Sequence, residues 1–278
     1  MNEPESITSP ANPRVKQAAA LRDAEARRVT GLTLVDGRRE LARAEAAGAE
    51  FVEVFVAIDA EALRTADAPP LRDWLARLAA GGTRIATLSN KAFDRIAFGN
   101  RNEGVVGVVR FGPRPLTDVA FDADRPLLII EGVEKPGNLG AIIRTADAAG
   151  LGGVIVSNAR TDVTNPAVIR ASLGTVFSMP LAAASTTDTI AWCRRHTRRV
   201  VAATPEGRQL WHEADLLGNV AILLGSEAHG LSSAWGSAAG LAFETVRLPM
   251  HGLADSLNLS ATAAVLAYEA VRQRHTHS

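Results

Sequence analysis

Short apolar runs alternate along the chain with polar stretches that carry a helical repeat. Residues 32–35, 51–58, 84–88 and 105–109 are compact apolar runs rich in β-branched side chains and predict strands. Between them, residues 38–47, closed by Gly48, and 71–80, closed by Gly81 and Gly82, have the three-to-four spacing of amphipathic helices. A further amphipathic helix is predicted from Pro13 to about Arg28, with Val15, Ala18, Ala19 and Leu21 on its apolar side. The opening MNEPESITSP and the closing HTHS are polar or proline-bearing, and are expected to fray outside the core.

A second pattern begins after residue 126. Pro113, Pro115, Pro126 and scattered aspartates interrupt any periodicity, so residues 113–125 predict a linker. Beyond it, apolar runs at 127–130, 153–156, 176–181, 200–203, 220–224 and 243–248 are separated by helical or glycine-rich segments. Runs that are apolar on both faces indicate buried parallel strands covered by helices. A last helix is predicted from near Asn258 to about Arg274. The expected fold class is α/β, with a smaller domain over residues 1–112 and a parallel-sheet domain over residues 126–278.

Composition narrows the function without naming it. The chain has 278 residues, 47% of them hydrophobic, which is ample for buried cores. Thirty basic residues balance thirty acidic ones, so any contact with a polyanion relies on a local patch rather than a global field. Cys193 is the single cysteine, which excludes an intrachain disulfide and any multi-cysteine metal site. No stretch has the composition of a secretion signal or a membrane span, and the expected location is the reducing cytoplasm.

Candidate chemistry sits in three loops at strand carboxyl ends. The first, 132–140, holds Asn138 and leads into a helix bearing Arg144; strand, glycine loop and helix N-terminus together suit a ligand crevice. It lacks the dinucleotide and P-loop fingerprints. A surface ion pair for Arg144 and a helix cap for Asn138 account for the same residues. The second loop, Gly225-Ser226-Glu227-Ala228-His229-Gly230, brackets an acid with glycines; a tight turn with Glu227 capping the next helix is the alternative. His229 has no metal-ligand spacing and reads as a solvated loop residue. The third runs from Leu248-Pro249-Met250 to Ser256-Leu257-Asn258 at a helix start, where both Ser256 and Asn258 are also good caps.

Taken together, Asn138 with Arg144, Gly225-Ser226-Glu227 with Gly230, and Leu248-Pro249-Met250 with Ser256-Leu257-Asn258 resemble, in order and context, the three motifs of the SpoU/TrmH branch of the SPOUT methyltransferases. Asn165-Pro166, Arg170, Ser172, Gly174 and Phe177 resemble the segment before that family's third strand. Upstream, Ile7-Thr8-Ser9, Asn12-Pro13 and the stretch from Leu34 to Leu41 resemble the L30e-type RNA-binding domain that precedes many members.

The resemblance implies a deep trefoil knot in the C-terminal domain, a homodimer with substrate bound across the subunits, and S-adenosylmethionine as methyl donor, with no metal. It implies that the cofactor is held around Thr204, Gly225, Leu248, Met250 and Leu257, with its sulfonium facing Arg144. Asn138 and Glu227 would hold Arg144 or the cofactor's amino acid moiety, and Ser256 and Asn258 would order the third loop. A guanidinium stays charged at neutral pH and is a poor base, so the expected role of Arg144 is to grip the target phosphate and polarise the ribose hydroxyl. RNA phosphates are expected on Arg14, Lys16, Arg28, Arg38 and Arg39, with Arg22, Arg27 and Arg43 in the same cluster. The expected reaction is 2′-O-methylation of a ribose in 23S ribosomal RNA. The alternatives are a tRNA target, a non-catalytic RNA-binding member of the fold, and an unrelated doubly wound enzyme that uses a nucleotide cofactor.

Overall fold

The structure is a computed structural model that describes residues 5–59, 71–98 and 103–276. It divides into two compact units that are not contiguous halves of the chain. One ends at Gly112 and also takes in Thr164–Ser178; the other holds Pro113–Val163 and the chain from Met179 onward.

The first unit is built on five strands: β1 (Glu5–Ile7), β2 (Leu32–Asp36), β3 (Glu50–Ala57), β4 (Arg84–Leu88) and β5 (Val105–Arg110), in the order β1-β4-β3-β5-β2. β1, β4 and β3 run parallel, and β5 is antiparallel to β3 and β2. The expectation that the opening residues fray is corrected over 5–7: β1 pairs with β4 and buries Ile7. Backbone pairing to an existing edge outweighs polar side chains in so short a strand.

Helices α1 (Pro13–Ala20), α2 (Ala24–Thr30), α3 (Arg38–Ala46), α4 (Leu71–Ala80) and α5 (Asn90–Phe93) complete most of this unit. The single helix expected from Pro13 to Arg28 is two helices. Asp23 breaks it by turning extended and accepting from the Glu25 N–H at 2.8 Å as the cap of α2. Arg27, expected on an RNA-facing cluster, is buried instead. Its guanidinium donates to the Leu21 and Arg22 carbonyls at 2.9 and 2.8 Å and to Thr164 Oγ1 at 3.2 Å.

β6 (Leu127–Glu131), α6 (Pro136–Ala148) and β7 (Val154–Ser157) open the second unit. The intervening α7 (Pro166–Ala171) and a 3-10 turn at Thr175–Phe177 belong to the first, where Arg170 faces Asp36 at 3.5 Å. The strand predicted over 176–181 is that turn, entered through the left-handed Gly174; the strand itself, β8 (Leu181–Ala184), starts after Pro180. The second unit continues through α8 (Thr186–Arg195), β9 (Arg199–Ala203), β10 (Gln209–Leu210), β11 (Val220–Leu224), α9 (Ala234–Ser237), β12 (Phe243–Arg247) and α10 (Leu259–Thr276).

Its seven strands form the expected parallel sheet, in the order β10-β12-β9-β11-β6-β7-β8. β6, β7 and β11 are buried at every residue, which explains their uninterrupted apolar runs. α6 and α10 pack against one another. All loops at the carboxyl ends of β6, β9, β11 and β12 therefore open toward one end of the sheet.

Asp36 gives the first unit a testable pH dependence. Burial pushes its carboxyl up to about 6, above the usual carboxylate range, although the Phe98 N–H and Arg170 favour the charged form; Glu103 and Glu40 add repulsion. A raised carboxyl binds its proton more tightly in the folded state than in the unfolded chain. Its contribution to stability is therefore fully present below about pH 4 and is lost as pH rises through 6. Denaturation of wild type and Asp36→Asn across this range should give a stability difference that changes by on the order of 2 kcal/mol. A difference that does not vary with pH would show that Asp36 titrates normally.

Candidate active site

At the end of β11, Gly225 leads into a pinched loop. Ser226 and Gly230 exchange two main-chain hydrogen bonds of 3.0 Å, and Ser226 Oγ accepts from the His229 N–H at 3.0 Å. Gly230 has φ +64°, and a Cβ on Gly225 would lie 2.4 Å from the Gly230 carbonyl carbon. Both positions thus need glycine, one for its backbone angle and the other for the close approach.

The loop presents Glu227 to residues from two other loops. Glu227 Oε1 accepts from Asn138 Nδ2 at 2.6 Å and from Asn258 Nδ2 at 3.1 Å, while Oε2 pairs with the Lys135 ammonium. Asn258 Nδ2 also lies 3.2 Å from Asn138 Oδ1, and Asn258 Oδ1 accepts from the Ser260 N–H and hydroxyl at 2.9 and 2.6 Å. Asn258 is consequently both the cap of α10 and a member of the cluster. The Lys135 hydrogen bond is the main reason that the Glu227 carboxyl lies below its ordinary range. The Asn138 amide and the Leu259 N–H add to it, against the opposing effect of desolvation.

Behind this cluster, Glu131 closes the otherwise apolar β6. It is 5% exposed and accepts from the Thr186 hydroxyl at 2.6 Å, the Ser232 N–H at 2.9 Å and the Ser232 hydroxyl at 3.0 Å. It ties the far end of the Gly225 loop to the sheet.

Beside the cluster lies a cavity of about 500 Å³. Thr204, Gly225, Leu248, Met250 and Leu257, the positions expected to hold a cofactor, all line it, together with Glu227, His229 and Ser256. Leu224, Leu231 and Leu259 make its apolar wall. The main-chain N–H groups of Met250 and Leu257 make no hydrogen bond among the described residues. A cavity of this size, with apolar walls and unspent backbone donors, suits a ligand that combines a flat apolar part with polar ends.

Arg144 is placed apart from this group. It is exposed on α6, does not line the cavity, and has no hydrogen-bond or ion-pair partner among the described residues. Asn138 and Glu227 were expected to hold Arg144 or the cofactor's amino acid moiety; among the described residues they bond to each other, to Lys135 and to Asn258, and not to Arg144. Six residues along a helix turn a side chain through about 600°, leaving Arg144 about 120° round the axis from Asn138.

Lys135 and Glu131 were not anticipated. A charged residue ending a wholly apolar strand was a readable signal for Glu131; nothing in the sequence singles out Lys135. Among the described residues, no group of His, Cys, Asp and Glu could hold a metal.

On the first unit, most of the expected RNA-contacting cations are already paired. Arg14 bonds to Glu53 and Glu5, Arg28 to Glu25 at 2.5 Å and Arg39 to Glu40 at 2.9 Å. Arg43 donates to the Leu173 carbonyl at 2.8 Å, and Arg22 to that of Ala97. Arg38 is half-buried, and Lys16 is exposed on α1.

Residues 125–268 match the SpoU rRNA methylase family, and residues 12–107 match the MRM3-like substrate-binding domain. The chain belongs to the SpoU rRNA methylase family. Membership implies the deep trefoil knot. One relative is the 23S rRNA (guanosine-2′-O-)-methyltransferase RlmB of Bordetella pertussis, 32% identical over 214 residues, covering 73% of this chain and 84% of that one. Another is the 23S rRNA (adenosine(1067)-2′-O)-methyltransferase of Streptomyces laurentii, 30% identical, covering 89% and 88%. The structure of the AdoMet-bound rRNA methyltransferase from Sinorhizobium meliloti superposes with a TM-score of 0.85 at 30% identity, covering 97% of this chain and 98% of that one.

The pinched loop of this SpoU methylase yields a direct test. Gly225→Ala should push Gly230 away, and protection of the Ser226 and Gly230 amides from hydrogen exchange should fall by at least about tenfold. Unchanged protection would mean that the loop does not depend on that close approach.

Proposed function

We propose that this SpoU methylase transfers a methyl group from S-adenosylmethionine to the 2′-oxygen of a ribose in 23S ribosomal RNA. The observation that carries this reading is the cavity at the carboxyl ends of β9, β11 and β12, where residues of three separate loops converge. Its residues fit the cofactor: Leu224, Leu231 and Leu248 offer an apolar slot for a flat base, and Met250 and Leu257 offer free main-chain donors. When bound, the cofactor supplies an activated methyl group on its sulfonium. The protein's own task is to place the ribose hydroxyl in line with that group at about 3 Å.

Glu227, Asn138 and Asn258 fix the relative positions of the loops that frame the cavity. Ser256 lies on its wall. Arg144 is the group assigned to the RNA: a guanidinium that keeps its charge and has no partner of its own on α6 is available to a phosphate and can polarise the 2′-hydroxyl. A phosphate oxygen or water takes the proton. Further phosphate contacts are assigned to the first unit, to Lys16, exposed on α1 and without a side-chain partner among the described residues, and to Arg14, Arg28, Arg38 and Arg39. We place the enzyme in the cytoplasm as a homodimer that binds RNA across its subunits. Exposed Leu253, Leu257 and Tyr268 supply apolar surface for that assembly.

Arg144→Lys and Arg144→Ala should both reduce turnover, alanine by on the order of a hundredfold, and both should weaken RNA affinity measured separately. An undiminished rate in either variant would sink the assigned role. Mapping of 2′-O-methyl sites in total RNA, with and without the protein, should show one added mark in 23S ribosomal RNA. A mark in tRNA, or none, would overturn the substrate assignment.

A further inference from the structure

We infer that Lys135 is a positioning residue for methyl transfer, holding Glu227 in the geometry that unites the three loops of the site. This rests on the reading of the cavity as the methyl-transfer site.

The backbone and side chain of Lys135 have separable roles. Lys135 stands at the N-cap of α6, where its carbonyl accepts from the Asn138 and Leu139 N–H groups at 3.1 and 3.2 Å, but its side chain makes no capping bond. Its side chain instead crosses to the Gly225 loop, where Nζ meets Glu227 Oε2. Any residue can supply the carbonyl. Only a cation can supply the second interaction.

The geometry gives that cation a specific task. Glu227 Oε1 is taken by two neutral amide donors, Asn138 and Asn258, leaving Oε2 as the position for a compensating charge. Lys135, Asn138, Glu227 and Leu259 also line one small pocket that shares Glu227 and Leu259 with the large cavity. A protonated Glu227 would present an O–H where a donor already points, and one of the two asparagines would have to let go. Of the titratable groups around the carboxyl, Glu134 lines the same small pocket, and Lys135 is the only cation within ion-pair distance among the described residues. With the ammonium gone, the largest influence that holds Glu227 below the ordinary carboxylate range is removed, and only the Asn138 amide and the Leu259 N–H remain to oppose desolvation. The Lys135–Glu227 pair thus sets how acidic the medium must become before the cluster loosens.

The lysine's side chain is 68% exposed and the glutamate's 30%, so this pair adds little to global stability. Its effect falls on alignment. That separates a positioning role from a merely structural one, because the melting temperature should stay put while turnover changes.

The test is a double-mutant cycle with Lys135→Met and Glu227→Gln, with Lys135→Arg as the conservative control. Lys135→Met should lower kcat by on the order of tenfold, the scale of one charge-assisted hydrogen bond, with KM for RNA nearly unchanged. Lys135→Arg should recover most of the loss. In the Glu227→Gln background, Lys135→Met should have no further effect. In addition, the Glu227 carboxyl resonance, identified by its absence in Glu227→Gln, should titrate at higher pH in Lys135→Met. That readout requires no activity, so it tests the pairing even if the methyl-transfer assignment fails. Equal effects of Lys135→Met in both backgrounds, a KM change without a kcat change, or an unmoved Glu227 titration would overturn the inference.

Discussion

One carboxylate, that of Glu227, receives side-chain donors from residues separated by about 120 positions along the chain. Lys135 and Asn138 come from the turn and first helix after β6, Asn258 from the start of α10, and Glu227 itself from the loop after β11. A parallel sheet makes this meeting possible, because every strand delivers its following loop to the same end. It does not fix how the loops sit against one another. That is done by polar contacts, in which an ionised acid accepts from several directions and couples segments that share no backbone bond.

Glu131 plays the complementary part from below. Where Glu227 is part-exposed and binds loop to loop, Glu131 is buried at the end of β6 and binds loop to sheet through Ser232 and Thr186. Two acids on either side of the same turn thus hold its ends while the glycines set its shape. The cavity beside it takes its form from backbone and apolar side chains. This explains why the residues lining it look unremarkable in the sequence while the loops that support it carry the polar groups.

The parallel sheet and the loops at its carboxyl ends were legible in the sequence because each rests on local pattern: apolar runs, glycines at turns, polar residues at helix starts. What escaped was set by partners far along the chain. Arg14 reads as a surface cation, yet its partner Glu53 lies 39 residues away. Arg27 belongs to a basic helix by composition but is buried, and besides the nearby Leu21 and Arg22 carbonyls it donates to Thr164 Oγ1, 137 residues away. Arg144 and Asn138 share a motif, but helical rotation sends them to different sides of α6. Lys135 occupies an ordinary cap position and gains its meaning only from a side chain 92 residues later. The run at 176–181 misled for the opposite reason: a strand and a 3-10 turn with a buried Val176, followed by proline, have the same hydrophobic signature.

The strand order of the second unit also bears on how the protein is made. β11 lies between β6 and β9, both of which precede it in the chain, and it pairs along its length with each. Until residue 224 has been synthesised, those two strands have no bridge between them and each presents an unpaired apolar edge. Assembly of the sheet is thus a late, non-local event governed by chain diffusion rather than by neighbouring turns, and this topology is intrinsically slow to form. The nascent chain spends that interval with adhesive edges exposed, a window in which aggregation or chaperone capture competes with folding.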